Sequence, residues 1–265
     1  LTGVRGVGKT TTARILAKAL NYIGPDGQGG PTAGPTADCP LCRAIAEDRH
    51  VDVMEMDAAS RTGVGDIREL IESVRYRPVE ARYKVYIIDE VHMLSTSAFN
   101  ALLKTLEEPP PHVVFIFATT EIRKVPVTVL SRCQRFDLRR VDQALLAEHF
   151  TRIAAREGVT AAPAAIQMIA RAADGSVRDG QSLMDQAIAQ TRGQVTETAV
   201  KDMLGMADRA RVYDLLEAVL GGRPAEALAI LKDLYEGGAD PVVVLQDLME
   251  AVHFATRAKL VPETA

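Results

Sequence analysis

The sequence is poor in cysteine and contains no long hydrophobic run. Its three cysteines among 265 residues are too few for a disulfide framework, which indicates a reducing compartment and predicts a cytoplasmic protein. No apolar stretch approaches the roughly 18 to 20 residues of a membrane-spanning helix, and no cationic, hydrophobic leader opens the chain. We therefore expect a globular protein without a membrane partner.

The sequence also lacks an excess of positive charge. Its formal net charge at pH 7 is −4, so binding to nucleic acid would need a local basic surface and could not rest on bulk charge. With 47% hydrophobic and 25% charged residues, the composition is that of an ordinary globular chain. Its length allows one large domain or two to three small ones.

The first part of the chain alternates strand-like and helix-like stretches. Short runs rich in β-branched residues predict three strands, VDVMEMD (51–57), KVYIID (84–89) and VVFIFATT (113–120). Between the last two, apolar residues from Phe99 to Leu106 follow the spacing of one helix face. This alternation predicts an α/β domain with a parallel sheet over residues 1–142. Because Leu1 and Thr2 run straight into a glycine-rich motif, we expect a strand of this domain to begin upstream of Leu1.

From about residue 143 the strand signal stops and amphipathic helices follow. Apolar stripes at helical spacing are interrupted by Asp174-Gly175, Gly205, Gly221-Gly222 and Gly237-Gly238. We predict a small helical domain over residues 143–206. A second helical domain is predicted over residues 207–265, of which the sequence contains a part.

The stretch GVRGVGKT, residues 3–10, matches the phosphate-binding pattern G-x-x-x-x-G-K-[ST]. Glycines let backbone N–H groups turn towards phosphate oxygens, and the following helix presents its positive end to them. Lys9 is expected to reach the β- and γ-phosphates and Thr10 to ligate Mg²⁺; the alternative is a plain glycine turn before a helix. The predicted nucleotide-binding residues are Gly3, Val4, Gly6, Val7, Gly8, Lys9, Thr10 and Thr11.

The stretch KVYIIDEVH places two carboxylates, Asp89 and Glu90, at the carboxyl end of a predicted strand. Open α/β sheets bind their ligands at this end. We expect Asp89 to hold Mg²⁺, directly or through water, and Glu90 to polarise the water that attacks the γ-phosphate. The alternative is that Asp89 and Glu90 are merely solvated acids at a strand end. The presence of the phosphate-binding loop in the same chain favours nucleoside triphosphate hydrolysis.

A threonine pair and two arginines complete the candidate site. Thr119 and Thr120 end the third predicted strand, where a hydroxyl could orient the lytic water or sense the γ-phosphate; strand-favouring threonines are the alternative. Arg178 falls in the first turn of a predicted helix, where a cation is unfavourable unless an anion lies nearby. Arg132 follows the next predicted turn. We expect one arginine to serve its own subunit's phosphates and the other a neighbour's, with ordinary surface arginines as the alternative.

Taken together, these motifs resemble those of the gamma/tau clamp-loader subunits of bacterial DNA polymerase III, a family of AAA+ ATPases. The resemblance runs from Leu1 to about residue 206 and weakens beyond it. It is carried by GVRGVGKTTTARILAKALN, DAASRTGV, YKVYIIDEVHMLS, FNALLKTLEEPP, ATTEIRKVPVTVLSRCQRF and GSVRDGQSLMDQAI. It implies an AAA+ P-loop domain with a parallel sheet, followed by a helical lid domain and a helical collar domain.

The resemblance also implies a function and a set of partners. The chain would be the ATP-hydrolysing motor subunit that drives loading of the sliding clamp onto primed DNA during replication. Its implied partners are delta, delta-prime, further gamma/tau copies, the sliding clamp and primer-template DNA. Two alternatives stay open: a structural clamp-loader subunit that does not hydrolyse ATP, and another AAA+ DNA motor such as a branch-migration helicase.

Roles for single residues follow from the same resemblance. Lys9, Thr10, Asp89 and Glu90 would form the Walker motifs, with ATP and Mg²⁺ as cofactors. Thr120 would be sensor 1, Arg178 sensor 2, and Arg132 the arginine finger that completes the neighbouring subunit's site. Arg61 and Arg68 match positions that face the DNA backbone; solvated helix charges are the alternative for both.

Cys39 and Cys42, in TADCPLCRAI, have the spacing of half a zinc site. The family usually carries a four-cysteine zinc module here, but Tyr22 and Thr36 occupy the other two positions. Neither residue type is a usual zinc ligand. We therefore expect no zinc, and a metal-free loop held by packing.

Overall fold

A computed structural model of the chain describes residues 1–60 and 63–260, except for the side chains of residues 206–209. Its contacts divide the chain into two compact units. The first comprises Leu1–Asp142 together with Ala173–Asp179, and the second runs from Gln143 to Ala172 and from Gly180 onward. No helix in the described part of the chain combines the length and the apolar character needed to cross a membrane.

The first unit alternates helices and strands. In chain order these are α1 (Lys9–Leu20), α2 (Pro40–Ala46), β1 (Val53–Asp57), α3 (Val64–Val74), β2 (Lys84–Asp89), α4 (Thr96–Glu107), β3 (Val113–Phe117) and α5 (Val127–Leu130). All three predicted strands form. β3 ends earlier than predicted because, beyond Phe117, the chain makes only a single parallel bridge, between Thr119 and Thr2.

The strands form one parallel sheet in the order β1-β2-β3. The register aligns Asp57 with Asp89 and Ile88 with Phe117. Thr2 forms parallel bridges to both Thr119 and Asp137, so the residues before the glycine-rich loop also run parallel to β3. The carboxyl ends of these segments therefore meet at one edge of the sheet, and the predicted α/β architecture is confirmed.

β2 is the most deeply buried strand, because both faces of the sheet are covered. Tyr86 and Ile88 point into a core formed with α3 and α4. Val85 and Ile87 point into a second core with Ala13 and Ala17 of α1. All four β2 residues are at most 2% exposed. This arrangement explains the continuous apolar run in the sequence, since alternate residues bury into opposite layers.

The second unit is mainly helical. Its elements are α6 (Gln143–Arg156), β4 (Thr160–Ala161), α7 (Pro163–Ala172), α8 (Val177–Thr191), β5 (Gln194–Val195), α9 (Glu197–Met203), α10 (Met206–Leu220), α11 (Pro224–Glu236) and α12 (Pro241–Leu260); the first three residues of α8 belong to the first unit. The prediction that strands stop at residue 143 is wrong, since β4 and β5 pair in parallel. Two-residue strands are too short to leave an alternating pattern. The helices before and after residue 206 belong to this one unit. The predicted boundary between two helical domains at residue 206 therefore stays a prediction.

Asp52 is a buried carboxylate that anchors the loop between α3 and β2. It is 2% exposed and accepts hydrogen bonds of 2.8 to 3.0 Å from the N–H groups of Val79, Glu80 and Ala81. Burial alone would raise the pKa of Asp52, but these three donors bring it below its ordinary value. The folded state therefore favours the charged carboxylate.

We predict that Asp52→Asn lowers the free energy of unfolding by about 2 to 3 kcal/mol at pH 7, because an amide would leave backbone donors poorly paired. Since the folded pKa is depressed, this stabilisation is fully present above the unfolded pKa of about 3.9 and is lost as the pH falls through the folded pKa. Urea unfolding at pH 7 and at acidic pH should show the gap between the two proteins closing. Asp38→Asn, at an exposed position, is the matched control. Equal stability of Asp52→Asn and the unaltered chain at pH 7 would contradict the anchoring role.

Candidate active site

The glycine-rich loop joins the bridge at Thr2 to the start of α1. Gly6 and Gly8 have φ angles of 75° and 93°, a left-handed backbone that other residues adopt only at a cost. Gly8 directly precedes α1, so the loop ends at a helix N-terminus, where an anion is favoured. The loop and the first residues of α1 contain all the nucleotide-binding positions predicted from the motif: Gly3, Val4, Gly6, Val7, Gly8, Lys9, Thr10 and Thr11.

The Lys9 side chain crosses the inside of this loop. Its Nζ donates to the carbonyl oxygens of Gly3 at 3.1 Å and Val4 at 3.0 Å, and the residue is only 6% exposed. Burial lowers the pKa of Lys9, while the nearby carboxylates of Glu90 and Asp89 act in the opposite direction. A buried ammonium group therefore lies between the loop and the two acidic residues.

Thr10 and Asp89 meet directly. Thr10 Oγ1 donates to Asp89 Oδ2 at 2.5 Å, and the backbone N–H of Glu90 donates to Asp89 Oδ1 at 2.8 Å. Both carboxylate oxygens of Asp89 are thus held in place. A hydroxyl and a carboxylate in contact are hard oxygen donors of the kind that Mg²⁺ prefers.

Glu90 adopts a strained backbone at the end of β2. Its φ of 44° lies in the left-handed region that non-glycine residues rarely occupy, and such strain concentrates at functional sites. Its Oε2 accepts a hydrogen bond of 3.0 Å from Thr120 Oγ1 and lies 3.4 Å from the Thr120 N atom. Of the two threonines considered from the sequence, Thr120 is the one that meets Glu90.

The start of α8 packs on the glycine-rich loop. The N–H of Val177 donates to the Gly6 carbonyl at 3.0 Å. Ser176 caps the helix, since its Oγ accepts from the N–H of Asp179 at 3.2 Å. A Cβ added to Gly6 would lie 2.0 Å from Ser176 Oγ and 3.1 Å from the Cβ of Arg178. Arg178 is exposed and its side chain therefore starts beside the loop.

Arg132 is held by a different part of the first unit. One guanidinium nitrogen, Nη1, donates to the Thr128 carbonyl at 2.6 Å, and Nη2 donates to Glu107 Oε1 at 2.6 Å. Both partners belong to α4 and α5, so these contacts tie Arg132 to those helices and not to the glycine-rich loop.

The two arginines predicted to face DNA have different outcomes. Arg61 lies outside the described residues. Arg68 is exposed on α3, whereas its helix neighbours Ile67 and Leu70 are buried. The position of Arg68 is therefore open to a partner, and its role stays a prediction.

The cysteine pair lies at the start of α2. The expected loop is instead a short helix here, because Pro40 occupies its first turn and Leu41, Cys42 and Ile45 bury its inner face. Cys39 stands at the N-cap position without a side-chain capping hydrogen bond. Burial and the neighbouring Cys39 raise the pKa of Cys42 to about 12. Burial also acts to raise the pKa of Cys39, but hydrogen bonds from backbone groups and from Cys42 bring it below the ordinary value.

Tyr22 and Thr36, the two residues at the other module positions, contact each other. Tyr22 Oη lies 3.2 Å from Thr36 Oγ1, and Tyr22 also packs against the cluster that contains both cysteines. Among the described residues no group of three or more His, Cys, Asp or Glu side chains is arranged to hold a metal ion. The absence of zinc itself stays a prediction.

His92 is a site residue that sequence reasoning missed. Its side chain is 6% exposed, with Nδ1 2.9 Å from Thr119 Oγ1 and 3.4 Å from Glu90 Oε2. Its Nε2 lies 3.5 Å from Glu121 Oε1. The sequence DEVH could have indicated this role, because it places an ionisable histidine two residues after the predicted catalytic Glu90.

Comparison with protein families gives consistent matches along the whole chain. A model described as DNA polymerase III, delta subunit, matches residues 1–142. The ATPase lid domain of DNA polymerase III clamp loader subunits matches residues 145–193, and domain III of DNA polymerase III subunits gamma and tau matches residues 195–265.

Curated relatives agree with these models. DNA polymerase III subunit tau of Escherichia coli is 45% identical over 260 residues, which cover 98% of this chain and 40% of that protein. DNA polymerase III subunit gamma of Buchnera aphidicola from Acyrthosiphon pisum is 38% identical over 262 residues, covering 99% of this chain and 71% of that protein. The chain thus spans about two fifths of the length of the tau relatives from Escherichia coli and Salmonella typhimurium.

Among solved structures, the Thermotoga maritima RuvB Holliday junction branch migration motor superimposes with a TM-score of 0.54. It is 18% identical, and the match covers 82% of this chain and 67% of that one. At this identity the likeness shows a shared fold, and it agrees with the predicted order of a parallel α/β domain before helices.

We predict that Gly6→Ala lowers the free energy of unfolding by about 1 to 3 kcal/mol, because the new methyl group would meet the capping Ser176 and the backbone is left-handed. Gly65→Ala is the matched control, since nothing lies within 4 Å of its added Cβ and its place in α3 favours alanine. Urea unfolding should rank Gly65→Ala at or above the unaltered chain and Gly6→Ala below it. A Gly6→Ala variant of full stability would show that the loop does not pack on α8 in this way.

Proposed function

The chain belongs to the gamma/tau family of DNA polymerase III clamp-loader subunits, and on that premise we propose that it is an ATP-hydrolysing motor subunit. ATP binding and hydrolysis in the chain would drive loading of the sliding clamp onto primed DNA during replication. Because the chain spans only part of the tau relatives, its activity, cofactors, partners and cytoplasmic location are all included in this proposal.

One continuous set of contacts is the main support for hydrolysis. Thr10 bonds to Asp89, the Glu90 N–H bonds to the same carboxylate, and the Glu90 carboxylate receives the Thr120 hydroxyl. The residues come from α1, from the end of β2 and from the turn after β3, and they meet at the carboxyl edge of the sheet. Each of these four residues therefore has a neighbour that fixes its position.

The loop suits the triphosphate of ATP. Lys9 already points to the inside of the loop, where phosphate oxygens would be stronger acceptors than the neutral carbonyls of Gly3 and Val4. Thr10 and Asp89 fit Mg²⁺ and would hold it. When bound, Mg²⁺ neutralises charge on the phosphate oxygens.

Glu90 is the proposed general base. A carboxylate can orient and polarise a water molecule for attack on the γ-phosphate. The described contacts of the Glu90 carboxylate all fall on Oε2, so the carboxylate is oriented from one side. Thr120, bonded to that oxygen, is suited to the proposed sensor 1 role because its position depends on that of Glu90.

The two arginines are proposed to act on different sites. Arg178 begins next to Gly6, which supports a role as sensor 2 towards the phosphates of its own subunit. Arg132 is bound to α4 and α5, which supports its presentation to a neighbouring subunit as an arginine finger. A finger supplied in trans makes hydrolysis depend on assembly.

The surface of the second unit supports assembly. α10, α11 and α12 share a core, yet they also expose large apolar side chains, including Leu220 at 75%, Leu228 at 66% and Tyr235 at 65%. Apolar residues of this kind favour protein partners. We propose delta, delta-prime and further gamma/tau copies there, with the sliding clamp and primer-template DNA bound by the assembled complex, the DNA in part by Arg61 and Arg68.

The function is tested by ATP turnover of the full-length chain assembled with its partner subunits. We expect clamp and primed DNA to stimulate turnover together. Glu90→Gln should retain ATP binding and lose turnover by about 10²- to 10⁴-fold, because it removes the base but not the loop. Lys9→Ala, as the comparison variant, should lose binding itself, measured by equilibrium titration with ATP.

The outcomes separate the proposed function from its rivals. A chain that binds no ATP or does not hydrolyse it would fit a structural subunit. Strand separation without clamp, together with turnover that the clamp does not affect, would fit a branch-migration motor. Near-normal turnover of Glu90→Gln would exclude Glu90 as the base while leaving hydrolysis intact.

We predict that Arg132→Ala leaves ATP binding by the isolated chain unchanged and lowers turnover in the assembly by about 10³-fold or more at the sites it should complete. Mixed assemblies should recover turnover at each site that receives an intact arginine from its neighbour. Arg123→Ala, which removes an exposed arginine nine positions earlier in the sequence, should behave like the unaltered chain. Loss of turnover in the mutated subunit's own site, with an intact neighbouring arginine, would refute the role in trans.

A further inference from the structure

The imidazole of His92 is enclosed in the candidate site. Its side chain is only 6% exposed. The ring is therefore buried, and buried ring nitrogens need polar partners. Each nitrogen has a polar neighbour. Nδ1 lies 2.9 Å from Thr119 Oγ1, and Nε2 lies 3.5 Å from Glu121 Oε1.

The two partners of His92 lie on either side of Thr120. Thr119 and Glu121 are also joined to each other, since Thr119 Oγ1 accepts from the Glu121 N–H at 3.0 Å. His92 and this hydrogen bond therefore brace the short turn that carries Thr120. The Thr120 hydroxyl in turn donates to Glu90 Oε2.

His92 also faces Glu90 directly. Its Nδ1 is 3.4 Å from the same Oε2 atom, and a 3₁₀ turn at Val91–Met93 places the ring directly after the strained Glu90 backbone. The charged groups facing this ring or its partners are Glu90, Glu121 and Lys124, whose Nζ lies 2.9 Å from Glu121 Oε1. The ring thus lies between the Glu90 carboxylate, after β2, and the turn that follows β3.

We propose that His92 is a positioning residue, which holds the Glu90 carboxylate in its working orientation both by direct contact and by bracing Thr119 and Glu121 around Thr120. This inference rests on the proposed role of Glu90 in ATP hydrolysis. His92 itself transfers no proton in this account. Its removal should therefore affect the chemical step more than nucleotide binding.

Three substitutions test the contributions of the two ring nitrogens of His92 separately. His92→Asn keeps a polar group near the place of Nδ1, His92→Gln keeps one near the place of Nε2, and His92→Ala keeps neither. In the full assembly we expect His92→Ala to lower kcat about 10²-fold, the scale of a misplaced catalytic group, with KM and ATP affinity changed less than about twofold. His92→Asn should recover most of kcat, and His92→Gln should recover less. His253→Ala, at an exposed histidine, is the control.

A structural measurement tests the positioning without relying on hydrolysis. Crystal structures of the full-length variants should keep the 3.0 Å contact between Thr120 Oγ1 and Glu90 Oε2 in His92→Asn and lose it in His92→Ala. Should His92→Ala fail to fold, the ranking of His92→Asn above His92→Gln decides the matter. An unchanged contact and an unchanged kcat in His92→Ala, or equal kcat values for the Asn and Gln variants, would overturn the inference. A wild-type assembly without ATPase activity would instead refute the proposed function, and the crystallographic distances would still decide the positioning.

Discussion

The hydrogen bond from Thr10 Oγ1 to Asp89 Oδ2 is the contact on which the arrangement of the site depends. It joins residues 79 positions apart at 2.5 Å, and a parallel sheet makes that possible because its strands end at one common edge. The small residues Ala13 and Ala17, both fully buried, let α1 pack closely on the sheet beside β2. Thr10, in the first turn of that helix, is thereby brought to the carboxylate at the end of the strand.

The electrostatics of the site follow from this geometry. Asp89 and Glu90 place two carboxylates at the sheet edge, opposed by the buried ammonium of Lys9, whose pKa is lowered by burial despite them. A bound triphosphate would add further negative charge, which the start of α1 and Arg178 are suited to offset. Arg132 is paired with Glu107 on another part of the unit. Under the proposed function, further positive charge for hydrolysis would come from the arginine of an adjacent subunit.

The elements that were predictable from the sequence are those whose signal is local. The glycine-rich loop, the acids at the end of β2 and the placement of Arg178 in the first turn of a helix each depend on a few consecutive residues, and the structure places these segments together. The network around His92 was not predictable in this way, because it arises only when the end of β3 lies beside the end of β2. β4 and β5 were missed since two residues carry no periodicity. α2 was missed because the two cysteines were interpreted as part of a metal site. The spacing of the buried residues Leu41, Cys42 and Ile45, which is that of a helix, was not considered.

The cysteine module shows how a local core can persist when its expected ligands change. Cys39 and Cys42 are at most 3% exposed, and Tyr22 packs against them while its hydroxyl meets Thr36. The residues at the four module positions thus remain neighbours, but they are joined by apolar contact and a hydrogen bond between two hydroxyls. An aromatic ring contributes a large buried area, which can replace part of the stabilisation that a structural metal supplies.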